Sequence, residues 1–344
     1  MNLQCPMPNF DFDAINLGHG SGGILTQRLL NSGVFDVLAN ETLNERHDGA
    51  VFSLPGQLAF STDSYVVSPI FFPGGNIGDL AVNGTVNDLA MCGARARYLS
   101  LSFILEEGLS MQHFWTILQT IGAACQTAGV QVATGDTKVV ERGKADQIFI
   151  NTSGIGVVHS RAQLGWRSIQ PGDAIIINAP LAAHGMAIMS LRNGLQFETD
   201  IVSDTAALHH TVMQLLDEYG SAIHFLRDAT RGGLASVLNE IAKDGQHGLT
   251  LQQTALPVAE QVAGACELLG LDPLYVANEG VFAALVAADA ADAVVNTLQK
   301  NGWPHACRIG QVVAAHRGQV IMQSAIGGRR VVNMLPGEQL PRIC

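Results

Sequence analysis

Residues 134–138 read Thr134-Gly135-Asp136-Thr137-Lys138, directly after the apolar run Val130-Gln131-Val132-Ala133. A buried strand that ends in glycine, carboxylate and lysine places a hard-oxygen metal ligand and a phosphate-neutralising ammonium at one spot. The chain repeats this device. Carboxylates also follow strand-like runs at Asp63, in Ser61-Thr62-Asp63-Ser64, and at Asp228, in Arg227-Asp228-Ala229-Thr230-Arg231-Gly232-Gly233. The second of these brings carboxylate, hydroxyl, arginine and two glycines to a helix start, a further candidate for binding an anion. Asp48, Asp63, Asp88 and Asp136 form a set of four carboxylates in the first half. Singly, each suits a turn or a cap. Jointly, with Lys138 two positions after Asp136, they suit Mg²⁺ bound together with nucleotide phosphates, Lys138 neutralising charge on a transferring phosphoryl group. Glu279, between Asn278 and Gly280, is either a turn residue or a general base facing a cleft.

Two further features carry alternatives. Gly18-His19-Gly20-Ser21-Gly22-Gly23 precedes an amphipathic helix and can offer backbone N–H groups to a phosphate, or it is a tight turn; it lacks the lysine of a P-loop. The last residue, Cys344, is either an incidental thiol or a reactive one on a tail. From Pro336 that tail spans about nine residues, a reach on the order of 25–30 Å, enough to enter a cleft in its own or a neighbouring subunit. The terminal carboxylate should raise the thiol pKa, and Arg342 should partly offset that.

The elements that must position these groups follow from pattern. Residues 1–17 are a polar, proline-containing lead. A helix starts at Ile24, and Phe52 to Val67 reads as two short strands around the turn Pro55-Gly56. Pro73-Gly74-Gly75 breaks the chain before a helix from about Ile77 to Cys92 that is almost uncharged and so should be buried. Asn83, Asn87 and Asp88 lie within it, either as an internally satisfied polar network or as a metal or nucleotide site. Tyr98–Leu105 alternates as a strand, Ser110 caps a helix reaching Ala128 that Gly129 closes, and Ile148–Val158 is another strand. Gln170-Pro171-Gly172-Asp173 is turn chemistry, and a new β-α series starts at Ala174. Its strands fall near 174–178, 281–287 and 307–313, and its clearest helix begins at Gly233. His184-Gly185 reads as a helix cap. The domains are expected at 1–167 and 168–335, with 336–344 as a tail without regular structure.

Composition bounds the class. The chain has 344 residues, more than one core usually serves; 47% are hydrophobic and only 14% charged, which suits α/β layers with sheets buried on both faces. A net charge of −11 argues against nucleic acid or an anionic membrane as the main partner, but not against a nucleotide arriving with magnesium. None of the six cysteines forms a Cys-x-x-Cys pair, so a zinc or dithiol redox site is not expected. There is no basic-then-apolar leader and no run of about 18 apolar residues, so the chain reads as cytoplasmic with reduced thiols.

A set of segments running through nearly the whole chain resembles the HypE family of hydrogenase maturation factors, carbamoyl dehydratases of the AIR-synthetase (PurM-like) superfamily. They are His19-Gly20-Ser21-Gly22-Gly23, Ser61–Val67, Phe71–Gly75, Asn87-Asp88, Thr134–Val140, Asn151–Gly156, Asp228–Gly233, Ala277–Gly280 and Pro341-Arg342-Ile343-Cys344. The acidic and Gly-Asp motifs belong to the wider superfamily, and the terminal Pro-Arg-Ile-Cys singles out HypE. The start and the strand at 174–178 depart from the usual wording, and Ala183 stands where the family leads one to expect aspartate.

The resemblance implies a two-domain α/β fold, an N-terminal domain whose sheets pair in a homodimer to build the ATP cleft and a C-terminal α/β sandwich. It also implies a reaction. A carbamoyltransferase, HypF, loads a carbamoyl group on Cys344. ATP phosphorylates the carboxamide oxygen, and loss of phosphate leaves a thiocyanate destined for iron held by a HypC–HypD complex. On this reading Asp48, Asp63, Asp88 and Asp136 hold Mg²⁺. His19, Gly20, Ser21, Gly22, Gly23, Asn87, Thr137 and Asp228 bind nucleotide. Lys138 stabilises the transferring phosphoryl group and Glu279 takes the nitrogen protons. The rivals are selenophosphate synthetase, which would need a lysine near Cys5, thiamine-monophosphate kinase, which would not need the terminal thiol, and a non-catalytic scaffold.

Overall fold

A computed structural model describes residues 7–8, 10, 12–195, 201–335, 337, 340 and 342–344. Residues 1–6, 9 and 11 of the polar lead expected at the start, Cys5 among them, together with Pro336 and Pro341 of the tail, lie outside the described residues.

The chain folds as two α/β units. In the first, four strands lie in the order 58–65, 148–158, 94–106, 131–140. Only the pair 94–106 and 131–140 is parallel, because the helix Met111–Ala128 carries the chain back between them. Gly129, at φ +63°, closes that helix, and Ser110 stands at its start without a capping bond from its side chain. One face of the sheet packs on this helix and on Ile77–Met91, with Leu99, Leu101, Phe103, Leu105 and Ile150 buried. The opposite face is open and carries exposed Leu58, Phe60 and Ile104. Of the two short strands expected around the turn Pro55-Gly56, the first, from Phe52, does not form. Leu58–Tyr65 pairs with Ile148–Val158 instead, and Phe52 stacks on Tyr98 with ring centroids 4.3 Å apart.

The second unit is a seven-stranded sheet in the order 329–332, 320–323, 248–252, 307–313, 174–177, 282–286, 223–228. Its central strands read as unbroken apolar runs because helices cover both faces. Ile175, Ile177, Ala283 and Leu285 point to the layer of helices 183–192, 233–244 and 260–269. Ile176, Phe282, Ala284 and Val286 point to 209–219 and 291–300.

Helix Ile77–Met91 lies between the two units, which is why it is nearly uncharged. Hydroxyl relays tie it to the first sheet. Thr152 donates to the Ala81 carbonyl at 2.9 Å, Thr85 meets Thr152 at 2.6 Å, and the Tyr65 hydroxyl meets Thr85 at 3.3 Å. Gly84 lets the Tyr65 ring in: a Cβ there would lie 2.3 Å from the phenol oxygen of a fully buried side chain. Gly84→Ala is therefore expected to lower stability by about 1–3 kcal/mol through overpacking. A lower unfolding midpoint in denaturant at unchanged slope checks this; an unmoved midpoint would mean that the ring can shift at no cost.

Candidate active site

Asp136 and Lys138 do not end a strand. They stand inside the edge strand Gln131–Val140, which continues because its long neighbour pairs with it out to Glu106–Val140. Gly135 is needed for that pairing, since a Cβ would lie 2.3 Å from the Leu101 carbonyl oxygen. Asp136 Oδ1 accepts from Lys138 Nζ and from the Thr137 N–H, both at 2.8 Å, and the ammonium holds its carboxyl below the ordinary range. The pair is solvent-facing, 64% and 57% exposed for Lys138 and Asp136.

The glycine loop settles beside it. Residues Leu17–Gly20 form one 3-10 turn that packs on the same strand, close enough that a Cβ on Gly20 would lie 2.5 Å from the Val139 nitrogen. Gly20, Gly22, Gly135, Asp136, Thr137 and Lys138 share the lining of a cavity of about 200 Å³. Ser21, Gly22 and Gly23 are exposed. His19 differs from the expectation: it is buried, and its Nδ1 accepts from the Asn16 N–H at 3.0 Å, so the ring stabilises the turn.

A second cluster gathers at the other edge of the sheet, against the second unit. Ser61 Oγ donates to Asp88 Oδ2 at 2.7 Å. Burial, then the neighbouring Asp63, raises the Asp88 carboxyl. Burial first, then Asp88, pushes Asp228 up to about 7. Glu279 is buried and held well above its ordinary range, by desolvation first and then by Asp204, Asp228, Asp63 and Asp88. Arg231 is the compensating charge that reaches both Asp88 and Cys344.

These two clusters are not one site within a chain. Asp63 is level with Thr152, Thr152 with Leu101 and Leu101 with Gly135, so three strand steps, about 14 Å, separate Asp63 from the Asp136 edge. Asp48 is exposed on the loop before the first strand. Among the described residues no three His, Cys, Asp or Glu side chains are grouped to hold a metal. Asp48, Asp63, Asp88 and Asp136, expected as Mg²⁺ ligands, thus fall on separate parts of a single subunit, with Asp63 and Asp136 on opposite edges of the sheet.

Asn87 is buried at the seam between the units: its amide donates to the carbonyls of Ala206 (2.9 Å) and Glu279 (3.4 Å) and accepts from the Leu208 N–H (2.8 Å), so its side chain clamps backbone. Asn83 reaches Thr205 at 3.4 Å. The helix asparagines thus hold the segment 203–208 across the cluster. That segment brings in Asp204, which no sequence motif announced. Its Oδ1 accepts from the Glu279 N–H at 2.8 Å, its buried Oδ2 has no partner among the described residues, and burial pushes it up to about 7.

The tail has neither helix nor strand at its described residues, as expected, yet it is docked. Val66 N donates to the Cys344 carbonyl oxygen at 3.0 Å and Ser68 N to that of Arg342 at 3.3 Å, the pattern of an antiparallel edge. Leu340 and Ile343 are buried. Arg342 donates to the Val66 carbonyl at 2.9 and 3.1 Å and pairs with Asp146 at 2.6 Å. Cys344, with Ser64, Arg231, Gly232, Ser236 and Ala277, lines a cavity of about 260 Å³. Burial, then the nearby Glu279, raises its thiol strongly. His184 is not a cap: it lies inside the helix Ala183–Arg192, fully buried, and touches the tail.

A pH dependence follows from the raised carboxyls. Unfolded, Asp228 titrates near its ordinary value of 3.8; folded, near 7. Between the two the folded chain keeps a proton that the unfolded chain has lost, so this contribution is full below about pH 4 and is lost as pH rises through about 7. Asp228→Asn is expected to stabilise the nucleotide-free, metal-free protein at pH 8 by roughly 1–4 kcal/mol and to leave it unchanged at pH 4. Thermal unfolding of both chains in EDTA checks this; equal gaps at the two pH values would remove the carboxyl repulsion.

The comparisons with known proteins agree with this architecture. Residues 46–158 match the family model for the AIR synthase related protein, N-terminal domain, and residues 170–323 that for its C-terminal domain. The carbamoyl dehydratase HypE of Bradyrhizobium diazoefficiens is 49% identical over 332 residues, 96% of either chain. A crystal structure of hydrogenase maturation protein HypE in complex with ATP superposes with a TM-score of 0.92 at 48% identity, covering 95% of this chain and 99% of that one. A crystal structure of a HypE–HypF complex aligns with a TM-score of 0.79 at 40% identity, over 91% of this chain and 100% of that one.

Proposed function

The chain belongs to the AIR synthase related proteins and, within them, to the HypE family, and from that premise we propose that it is an ATP-dependent carbamoyl dehydratase acting on its own C-terminal cysteine. The observation that carries this reading is the docked tail: the only sulfur on it, Cys344, lines a cavity with Ser64 and Arg231 and lies within the electrostatic reach of Glu279, Asp63 and Asp228.

An amide oxygen is a poor leaving group and phosphate a good one, so activation by ATP turns one hard elimination into two easier steps. Sγ of Cys344 carries the carbamoyl group. The carboxamide oxygen takes the γ-phosphoryl group of ATP and departs as inorganic phosphate. The two nitrogen protons leave, and the C–N bond becomes the triple bond of the thiocyanate. Glu279 is the base we assign to those protons. Its burial and its carboxylate neighbours make it a strong proton acceptor once ionised.

Mg²⁺ fits the donor set. Asp63, Asp88 and Asp228 offer hard-oxygen ligands; after burial, Asp63 raises the Asp88 carboxyl and Asp88 and Asp63 raise that of Asp228, and a cation relieves that repulsion. Mg²⁺ is commonly held by one or two carboxylates plus substrate phosphates, so no closed protein cage is required. Bound there, it would supply charge neutralisation for the phosphates. Asp136, Lys138 and the loop 19–23 would join this site from a second copy, paired through the open face that exposes Leu58, Phe60 and Ile104. HypF as the carbamoyl donor, a HypC–HypD acceptor and a cytoplasmic setting belong to the same reading. No helix among the described residues is long and apolar enough to cross a membrane.

The test is to incubate the protein with the carbamoylating partner, carbamoyl phosphate and Mg-ATP and to weigh the intact chain. An adduct on Cys344 that loses one water only with ATP is the expected result. ATP hydrolysis without an adduct would favour a kinase or synthetase, and neither would favour a scaffold.

A further inference from the structure

We propose that His184 is a positioning residue that locks the C-terminal tail into its docked register and thereby sets where the Cys344 sulfur lies; this rests on the dehydratase reading only for what the sulfur then does. The ring is wholly enclosed, with Nε2 2.8 Å from the Ile343 carbonyl oxygen and Nδ1 2.8 Å from Ser203 Oγ. A carbonyl can only accept, so Nε2 carries the proton and Nδ1 accepts from the serine hydroxyl. That assignment makes the histidine a one-way strut from the segment 203–208 to the residue before Cys344.

Everything around the ring is built to hold it. Its helix starts from Ala182 in the left-handed region, φ +75°, a conformation that costs alanine about 1 kcal/mol or more. Asn278 holds that strained residue by accepting from the Ala182 N–H at 2.7 Å while its amide donates to Ala229 at 2.7 Å. Gly185 then lets the helix press against the tail's own bed. A Cβ there would lie 2.4 Å from Val276 Cγ1 and 3.3 Å from Leu340 Cδ1. Ser203, the acceptor-side partner, is itself fixed through its N–H to the Pro73 carbonyl at 2.8 Å, and Phe72 closes the ring edge-on at 5.4 Å.

The geometry explains why one bond matters. Among the described residues, the tail's antiparallel contact with 66–68 has two backbone bonds, to Cys344 and Arg342. The Ile343 carbonyl lies between them and points away from that edge into the second unit, where His184 meets it. Besides this bond, the second unit holds the tail through Arg192, which donates to the Arg342 carbonyl, and through the buried side chains of Leu340 and Ile343; the contacts of Arg192 and Arg342 are exposed, so neither fixes the register as an enclosed bond does. A shift of one residue would turn the sulfur to the opposite face of the extended segment.

The experiment measures the accessibility of the Cys344 thiol by iodoacetamide labelling of the full chain at pH 8, read on the C-terminal peptide so that exposed Cys92 does not interfere. His184→Leu is expected to speed labelling of Cys344 by about tenfold, the loss of one buried hydrogen bond. His184→Gln, which keeps a donor near the Nε2 position, is expected to restore part of the protection. In the coupled assay, His184→Leu should lower thiocyanate yield per ATP consumed with ATP affinity unchanged. Labelling at the wild-type rate in His184→Leu, or equal rates in the Leu and Gln variants, would overturn the proposal. Should the leucine variant not fold, nitrogen-15 spectra of the histidine-labelled wild-type chain decide: an Nε2–H tautomer with slow exchange is expected, and an Nδ1–H tautomer would overturn it. None of these labelling or tautomer results depends on whether thiocyanate forms, so a failure of the dehydratase reading leaves them interpretable.

Discussion

Cys344→Ala is expected to abolish thiocyanate formation and to leave ATP binding intact. The tail's hold on the protein is made by the backbone oxygens of residues 342–344 and by the buried side chains of Leu340 and Ile343, none of which the substitution removes. What it removes is the sulfur that lines the cavity with Ser64 and Arg231, the atom on which the carbamoyl group must ride. A variant with a docked tail and no attachment atom separates chemistry from binding. Intact mass after incubation with the carbamoylating partner and Mg-ATP should show an unmodified chain, and calorimetry should show wild-type affinity for ATP. A thiocyanate adduct on any other residue would sink the assignment of Cys344.

Glu279→Gln should slow the loss of water by about 10²–10⁴-fold while leaving carbamoylation of Cys344 complete. Gln has the same shape, and the bonds that shape the turn are made by backbone: the Glu279 N–H to Asp204 and the Glu279 carbonyl to Asn87. The substitution therefore removes a base without moving its neighbours. It also removes one acidic group from a cluster in which Asp204, Asp228, Asp63 and Asp88 all oppose its ionisation. The variant should accordingly be no less stable than wild type at pH 8, and more stable if Mg²⁺ is withheld. Single-turnover rates starting from the carbamoylated chain, with unfolding midpoints alongside, test both halves. An unchanged rate would place the base elsewhere, and a slow rate with lost stability would make the residue structural.

Much of the fold was legible locally. The strand at 148–158 and the helices 77–91 and 111–128 lie where apolar runs, Ser110 and Gly129 placed them, and the alternation at Tyr98–Leu105 marked the middle of a strand that starts four residues earlier, because period and punctuation are properties of neighbouring residues. The strand read before Pro55-Gly56 does not form, because that pair marks a turn but does not say what pairs across it. The tail's reach into a cleft was also legible, since nine residues of extended chain set a length.

By itself the sequence determined the chemistry available to this protein: the carboxylates Asp63, Asp88, Asp136 and Asp228, the lysine beside one of them, a base candidate at Glu279 and a thiol at the last position. Only the tertiary structure decided which of these meet. It put Asp63, Asp88, Asp228, Glu279 and Cys344 in one electrostatic field, left Asp136 and Lys138 about 14 Å away on the far edge, turned Asn87 to the backbone, and brought Asp204 and His184 to the site. The reason is that residue type is set one position at a time, whereas proximity depends on strand order and on which loops cross the sheet edge. Those depend on burial summed over the whole chain, which no local spacing records.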